Sequence, residues 1–198
     1  MNTAIKKPLY AITGGIGVGK SMIARIFEKM GIPVYYADQR AKYLINTDPE
    51  IREKIIDLLG QASYTPKGYQ NGWVSEQIFK DKSLLRQLNE IVHPKVREDT
   101  VTWVSKQQNV PFLLYEAALM KEKDPRFSKI ILVTSPKDLR IKRIKARDPQ
   151  RSLEQILGIM ASQNSEEEWK KLADFVIIND EKSLLIPQIM KFFEGVAG

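Results

Sequence analysis

Eight consecutive residues constrain this chain more than any others: Gly14-Gly15-Ile16-Gly17-Val18-Gly19-Lys20-Ser21. Gly14, Gly19, Lys20 and Ser21 satisfy the pattern G-x-x-x-x-G-K-[ST], and the flanking segments are of the kind that pattern requires. Before it, residues 8–13 (PLYAIT) form a short apolar run suited to a buried strand. After it, Met22, Ile23, Ile26, Phe27 and Met30 recur at helical spacing over residues 21–30, with Gly31 where a helix would end. Residues 32–36 then read as a second strand. Strand, glycine loop, helix and strand in this order predict a parallel βαβ unit. The chemistry of each position follows. Small residues let backbone amides turn inward around a β-phosphate, and the opening helix aims its N-terminal amides at the same anion. Lys20 would reach the β- and γ-phosphates, and the Ser21 hydroxyl would ligate Mg2+. A ligand-free glycine turn is the alternative; the expectation is an ATP or GTP site.

The middle of the chain changes character. Residues 49–59 predict a helix with Asp48 as N-cap, Pro49 at its first position and Gly60 at its end. Residues 64–73 carry Pro66, Gly68 and Gly72 and read as a turn-rich connection. Three further helices are expected over residues 75–80, 83–92 and 94–107. This run of helices without strands reads as an inserted lobe, residues 40–108, in a single domain spanning 1–198. Helices that simply cover the sheet are the other reading.

Alternation then resumes. Residues 111–115 and 129–134 (KIILVT) are strand candidates, and 136–147 form a basic helical segment. Ser152-Leu153-Glu154-Gln155 is a capping box opening a helix with Leu153, Ile156, Leu157 and Met160 on one face. Ser165-Glu166-Glu167-Glu168 is a second such box. A last strand over 174–178 and a closing helix over 183–193 complete an α/β chain with a mainly parallel sheet flanked by helices.

Composition narrows the chemistry. With no cysteine among 198 residues, disulfides, a thiol nucleophile and cysteine-held zinc or iron–sulfur sites are excluded, and a reducing compartment suits the chain. His93 is the single histidine, so no histidine-rich metal site exists. The apolar run after Lys7 is short and broken by glycines, unlike a signal peptide, and no stretch approaches a membrane span. A cytoplasmic protein is expected. The net charge of +7 fits either scattered solvated lysines or attraction to polyanions. It concentrates at Lys137, Arg140, Lys142, Arg143, Lys145, Arg147 and Arg151, against Asp138 and Asp148. No motif interleaves stacking aromatics with basic residues, so nucleic acid is not an expected partner.

Nucleotide binding alone does not define a reaction. A GTPase would carry Asn-Lys-x-Asp after a late strand, a pattern that Ile178-Asn179-Asp180-Glu181 fails. Asp57-Leu58-Leu59-Gly60 matches D-x-x-G but lies inside a predicted helix. Motors and helicases are longer, with a strand ending in a carboxylate pair. Phosphoryl transfer to a small acceptor remains.

Further segments carry a resemblance. Thr13-Gly14-Gly15-Ile16-Gly17 opens the loop, and Ala37-Asp38, followed by Arg40 and Ala41, succeeds the second strand. Leu88-Asn89-Glu90-Ile91-Val92-His93-Pro94, Arg143 with Arg147, Gln163, and Ala173-Asp174 with Asn179 follow in order. In these segments the chain resembles the dephospho-coenzyme A kinases, of the nucleoside monophosphate kinase-like group. The resemblance implies a P-loop kinase fold with an acceptor-binding helical lobe and a basic lid over residues 137–163. It also implies ATP-dependent phosphorylation of the ribose 3′-hydroxyl of dephospho-coenzyme A, with Mg2+. The chain departs from the family pattern at Val18 and Met22, which replace Ser and Thr. Glu116-Ala117-Ala118-Leu119-Met120-Lys121-Glu122 stands for Asp-x-Pro-Leu-Leu-x-Glu, and Gly72-Trp73-Val74-Ser75 lacks the family's arginine.

Roles follow for particular residues. Asp38, at the C-terminal end of the strand beside the loop, is the expected acceptor-side base; the alternative is an N-cap of the next helix. Arg143 and Arg147, four apart, would clamp the phosphoryl group from one helix face, or else form a solvated surface. Arg140 and His93 are expected on the acceptor, His93 alternatively as a structural residue. Glu116 joins Ser21 as the expected Mg2+ site, while Gly14 to Ser21, Ile16 and Val18 included, hold ATP. Trp73, Trp103 and Trp169 read as packing. Another small-molecule P-loop kinase, and a basic nucleotide-switched protein acting on nucleic acid, are the competing readings.

Overall fold

The computed structural model describes residues 7–117, 120 and 122–197. Ala118, Leu119 and Lys121 of the segment compared above, and Met1 to Lys6 of the N-terminal reading, lie outside the described residues. The chain divides into two compact units, one holding Ala37–Gln107 and the other the residues on either side.

The flanking unit begins with β1 (Leu9–Thr13), every residue of which is buried. Helix α1 (Lys20–Lys29) and strand β2 (Val34–Tyr36) follow, as the apolar spacing predicts. The buried face of α1 is narrower than expected: Ile23, Ala24 and Phe27 are buried, but Met22 is 46% exposed and Met30 is also exposed. Ile23 and Phe27 stack along one line of the helix, whereas Met22 is rotated by about 100° from that line. Gly31 follows the helix at φ +86°, a left-handed position that lets the chain turn off sharply into β2.

The second unit opens with α2 (Ala37–Thr47), a helix whose bounds the sequence does not mark. Helix α3 (Pro49–Leu59) has the expected bounds, because both ends are chemically marked. The Asp48 carboxylate accepts hydrogen bonds from the N–H groups of Glu50 (2.9 Å) and Ile51 (3.0 Å). Asp48→Ala should therefore cost about 1 kcal/mol of stability, measurable by denaturant melts, with catalysis unchanged. The supposed turn-rich connection contains an antiparallel hairpin, β3 (Tyr64–Thr65) and β4 (Gly68–Tyr69), so the unit is not strandless. The Tyr64 and Tyr69 rings face each other across it at 5.4 Å. Helix α4 (Asn71–Lys80) starts at Asn71, ahead of the predicted residue 75.

Where two helices were expected on either side of Pro94, one runs through it: α5 (Ser83–Lys106). Pro94 removes one backbone donor, a loss on the order of 3 kcal/mol in a helix interior. The buried stripe Val92, Val96 and Thr100 continues across it at four-residue spacing, and that burial offsets the loss. Arg40 and Asp99 form a two-pronged ion pair, Nε to Oδ2 at 2.9 Å and Nη2 to Oδ1 at 2.6 Å.

The flanking unit resumes with β5 (Leu113–Glu116) and β6 (Lys129–Thr134). Then come α6 (Lys137–Arg147), α7 (Leu153–Ala161), α8 (Glu166–Leu172), β7 (Phe175–Ile178) and α9 (Leu185–Ala197). Both predicted capping boxes are formed, Ser152 with Gln155 and Ser165 with Glu168. On α7 only Ile156 is buried, and Leu153 is exposed rather than part of a packed face.

Five strands make one wholly parallel sheet in the order β2-β5-β1-β6-β7, flanked by helices as in P-loop kinases. On one sheet face Tyr10, Ile12, Leu114, Ile131 and Ile177 pack with Phe27 of α1 and Phe192 of α9. Aromatic contacts tie this core together, including Tyr10 with Phe112 at 4.9 Å and Phe27 with Phe192 at 5.9 Å. Trp169 is buried, and Trp73 and Trp103 are partly buried. With β1 central, the segment after Thr13 emerges between two strand ends, where open α/β sheets place their ligands.

Candidate active site

The loop from Gly14 to Ser21 joins the end of β1 to the start of α1. Gly19 caps that helix at φ +93°, and its carbonyl accepts the N–H groups of Met22 (3.0 Å) and Ile23 (3.2 Å). A Cβ on Gly19 would lie 2.4 Å from Nδ2 of Asn179, so both conformation and space require glycine there. The first N–H groups of α1 have no acceptor within the helix and present a partial positive charge to an anion. Lys20 folds back along the loop, its Nζ donating to the carbonyls of Gly14 (2.7 Å) and Gly15 (3.2 Å).

Ser21 and Glu116 are brought together. Ser21 Oγ donates to Oε1 of Glu116 at 3.3 Å, and Glu116, the last residue of β5, is only 7% exposed. Its register beside Ile12 of β1 and Tyr36 of β2 sets it at the same sheet edge from which the loop springs. A hydroxyl and one carboxylate, with no cluster of three or more His, Cys, Asp or Glu among the described residues, is a sparse oxygen set. That set fits Mg2+, which keeps waters and takes its remaining ligands from phosphates. Nearby, the Tyr36 hydroxyl donates to Glu28 at 2.7 Å; burial, and then this bond, raise its pKa well above the ordinary tyrosine value.

Side chains from distant elements hold the loop's backbone. Asn179, just past β7 and 3% exposed, donates from Nδ2 to the Val18 carbonyl at 2.8 Å. Its own N–H continues the sheet ladder to Thr134 at 2.9 Å. Arg143 spreads its guanidinium over Ser135 Oγ (3.1 Å), the Val18 carbonyl (3.4 Å) and the Asn179 carbonyl (3.3 Å), with Glu181 at 3.0 Å. Arg140 Nε donates to the Ile16 carbonyl at 2.9 Å, and burial lowers this guanidinium's pKa. Gln163 Oε1 accepts the Ile16 N–H at 2.9 Å. The sequence contains Gln163 and Asn179 in recognisable segments, but nothing there shows that they grip the loop. Ser135 and Glu181 were not among the expected site residues.

Other expected site residues stand as follows. Arg147 is exposed and makes no hydrogen bond or ion pair among the described residues, so of the arginine pair it is Arg143 that lies on the loop. Asp38 is the second residue of α2, inside its first turn rather than ahead of it. His93 lies at the surface of α5, in a shallow hollow with Lys82, Arg86, Asn89 and Arg97. No helix among the described residues is long and apolar enough to cross a membrane.

Comparison with known proteins identifies the family. The family model for dephospho-CoA kinase matches residues 9–184. A dephospho-CoA kinase of Bacteroides fragilis is 37% identical over 182 residues, covering 91% of this chain and 88% of the relative. Among solved structures, a Thermus thermophilus protein superposes with a TM-score of 0.81 at 26% identity, covering 96% of both chains. The dephospho-CoA kinase from Campylobacter jejuni does so with a TM-score of 0.66 at 26% identity, covering 95% of this chain and 96% of its own. With a phosphate loop, a hydroxyl–carboxylate pair and a match along nearly the whole chain, this protein belongs to the dephospho-CoA kinase family, enzymes of coenzyme A biosynthesis.

Proposed function

We propose that this dephospho-CoA kinase moves the γ-phosphoryl group of ATP to the ribose 3′-hydroxyl of its acceptor, with Mg2+, in the cytoplasm. The observation that carries the donor half is the meeting of Ser21 Oγ and Glu116 Oε1 at 3.3 Å beside the phosphate loop. Lys20 and the first N–H groups of α1 neutralise the β- and γ-phosphates. Ser21 and Glu116 hold Mg2+, Glu116 through its waters or directly. When bound, the ion would offset the negative charge that develops on the transferring phosphoryl group. Arg143 and Arg147 add positive charge on the nucleotide side. Arg140 keeps four N–H donors beyond the one given to Ile16, and these serve the anionic acceptor together with His93. Asp38 accepts the proton of the attacking hydroxyl. Residues 40–108 form the acceptor lobe and 137–163 the lid.

A coupled ADP-release assay tests this reading, with dephospho-coenzyme A offered beside adenosine, AMP and gluconate, with and without EDTA. Magnesium-dependent turnover of dephospho-coenzyme A alone is the expected result. Turnover of another acceptor by protein that ignores dephospho-coenzyme A would overturn it. In the same assay Glu116→Gln should raise the Mg2+ concentration for half-maximal rate by about ten- to a hundredfold. An unchanged magnesium titration would remove Glu116 from the metal site.

A further inference from the structure

We infer that Gln163 is a positioning residue for the transfer: its side-chain carbonyl sets the orientation of the Ile16 peptide at the turn of the phosphate loop. The inference rests on the reading that this loop binds the ATP phosphates. Both polar groups of Ile16 are taken by side chains, the N–H by Gln163 Oε1 and the carbonyl by Arg140 Nε, each at 2.9 Å. The two grips oppose each other across one residue, so the peptide planes on either side of Ile16 cannot rotate without breaking one of them. Gly15 is shaped to allow this. A Cβ there would lie 2.4 Å from Arg140 Nη2 and 3.0 Å from Gln163 Oε1, so both side chains lie flush against the loop backbone.

Gln163 is itself held in place. Helix α7 ends at Ala161, and the Gln163 N–H donates back to Met160 at 3.4 Å. The next residue, Asn164, donates from Nδ2 to the Met120 carbonyl at 3.4 Å, and Trp169 Nε1 donates to the same carbonyl at 3.2 Å. Trp169 is buried, and the Ser165–Glu168 capping box fixes the start of α8 between them. Residues 163–169 therefore form a strut with one end on the phosphate loop and the other on the chain beyond β5. A loop that cradles phosphate works only if its amides are aimed before the anion arrives. Releasing the Ile16 N–H from Gln163 lets that peptide turn and spends binding energy on re-aiming it.

The experiment compares Gln163→Met, which keeps the length of the side chain but replaces the amide carbonyl with a weakly accepting thioether, with Asn164→Ala, its neighbour on the strut, whose side chain bonds to Met120. Calorimetric titration with ADP and steady-state KM for ATP and for dephospho-coenzyme A are measured, with melting temperature and Lys20→Ala as reference. For Gln163→Met, ADP affinity and KM for ATP should weaken roughly five- to thirtyfold, the loss of one or two hydrogen-bond equivalents. Acceptor KM should stay within about twofold, and Asn164→Ala should leave the ATP constants within the same margin. If Gln163→Met fails to fold, Gln163→Asn, too short to reach Ile16, is read in the same way. Unchanged nucleotide affinity in the Gln163 variant overturns the inference. So does an equal loss in Asn164→Ala, because the effect then belongs to the strut's stability. Lys20→Ala separates the levels: if it too binds and turns over ATP normally, the reading of the loop has failed; if it is inactive while Gln163→Met is unimpaired, only the positioning role has.

Discussion

Lys20→Ala should lower kcat/KM by about a thousandfold or more, with a melting temperature close to that of the parent protein. The first residue of α1 is half-buried, and its ammonium lies on the loop's own carbonyls rather than in the aromatic core. Alanine is the strongest helix former, so the helix start survives the change. What is lost is a positive charge beside phosphoryl oxygens whose negative charge shifts in the transition state. Removing one such preorganised partner costs about 3–4 kcal/mol, and a full charge in a dehydrated site belongs at the upper end. Steady-state kinetics alongside a thermal melt decides the matter. A stable variant retaining activity within about tenfold of the parent would remove the glycine loop from the catalytic machinery.

The second large effect concerns Asp38→Asn, expected to reduce turnover by roughly two to four orders of magnitude, the range of general-base contributions. Asparagine keeps the size of the side chain and cannot take a proton. Because Asp38 lies within the first turn of α2 rather than at its cap position, the structural cost is small. It amounts to the favourable meeting of a carboxylate with the helix N-terminus, about 0.3–1 kcal/mol at an exposed site. ATP affinity should stay the same, since the phosphate loop is untouched. The transition state for phosphoryl transfer is loose, so proton removal comes late and the loss falls towards the lower figure. Turnover, ATP affinity and melting temperature of this single variant answer the question. A stable, ATP-binding protein with full turnover would refute the role of Asp38 as base.

How much of this was readable beforehand differs element by element, for physical reasons. Helix α3 was legible to the residue because Asp48, Pro49 and Gly60 mark its ends by local chemistry, and β6 because an unbroken apolar run is bounded by Ser135-Pro136. The bounds of α2 were not legible because it contains no fully buried residue, leaving no apolar stripe for periodicity to show. Pro94 misled the reading of α5, since a proline's local cost is visible in the sequence and the buried stripe that outweighs it depends on packing. At the candidate site, motif and resemblance singled out Lys20, Ser21 and Glu116, and the structure places Ser21 against Glu116. The grips of Gln163 and Asn179 were not legible. Both reach backbone atoms, 147 and 161 residues away, and a backbone partner leaves no complementary residue type to search for.

The central place of β1 has a consequence for how the chain is made. Its neighbours β5 and β6 pair with it across more than a hundred residues, Leu9 with Leu113 and Tyr10 with Lys129. Closing such long loops is entropically slow, and a strand buried on both faces has nothing to bury against until those partners exist. On the ribosome, the first strand and the glycine loop must therefore wait, unpaired, while Ala37–Gln107 is synthesised as one contiguous stretch able to collapse on its own contacts. The glycine loop is translated before the strands that flank β1 and is structured only with them, and a pulse-labelled nascent chain should gain protease resistance over residues 37–107 before it gains any over β1.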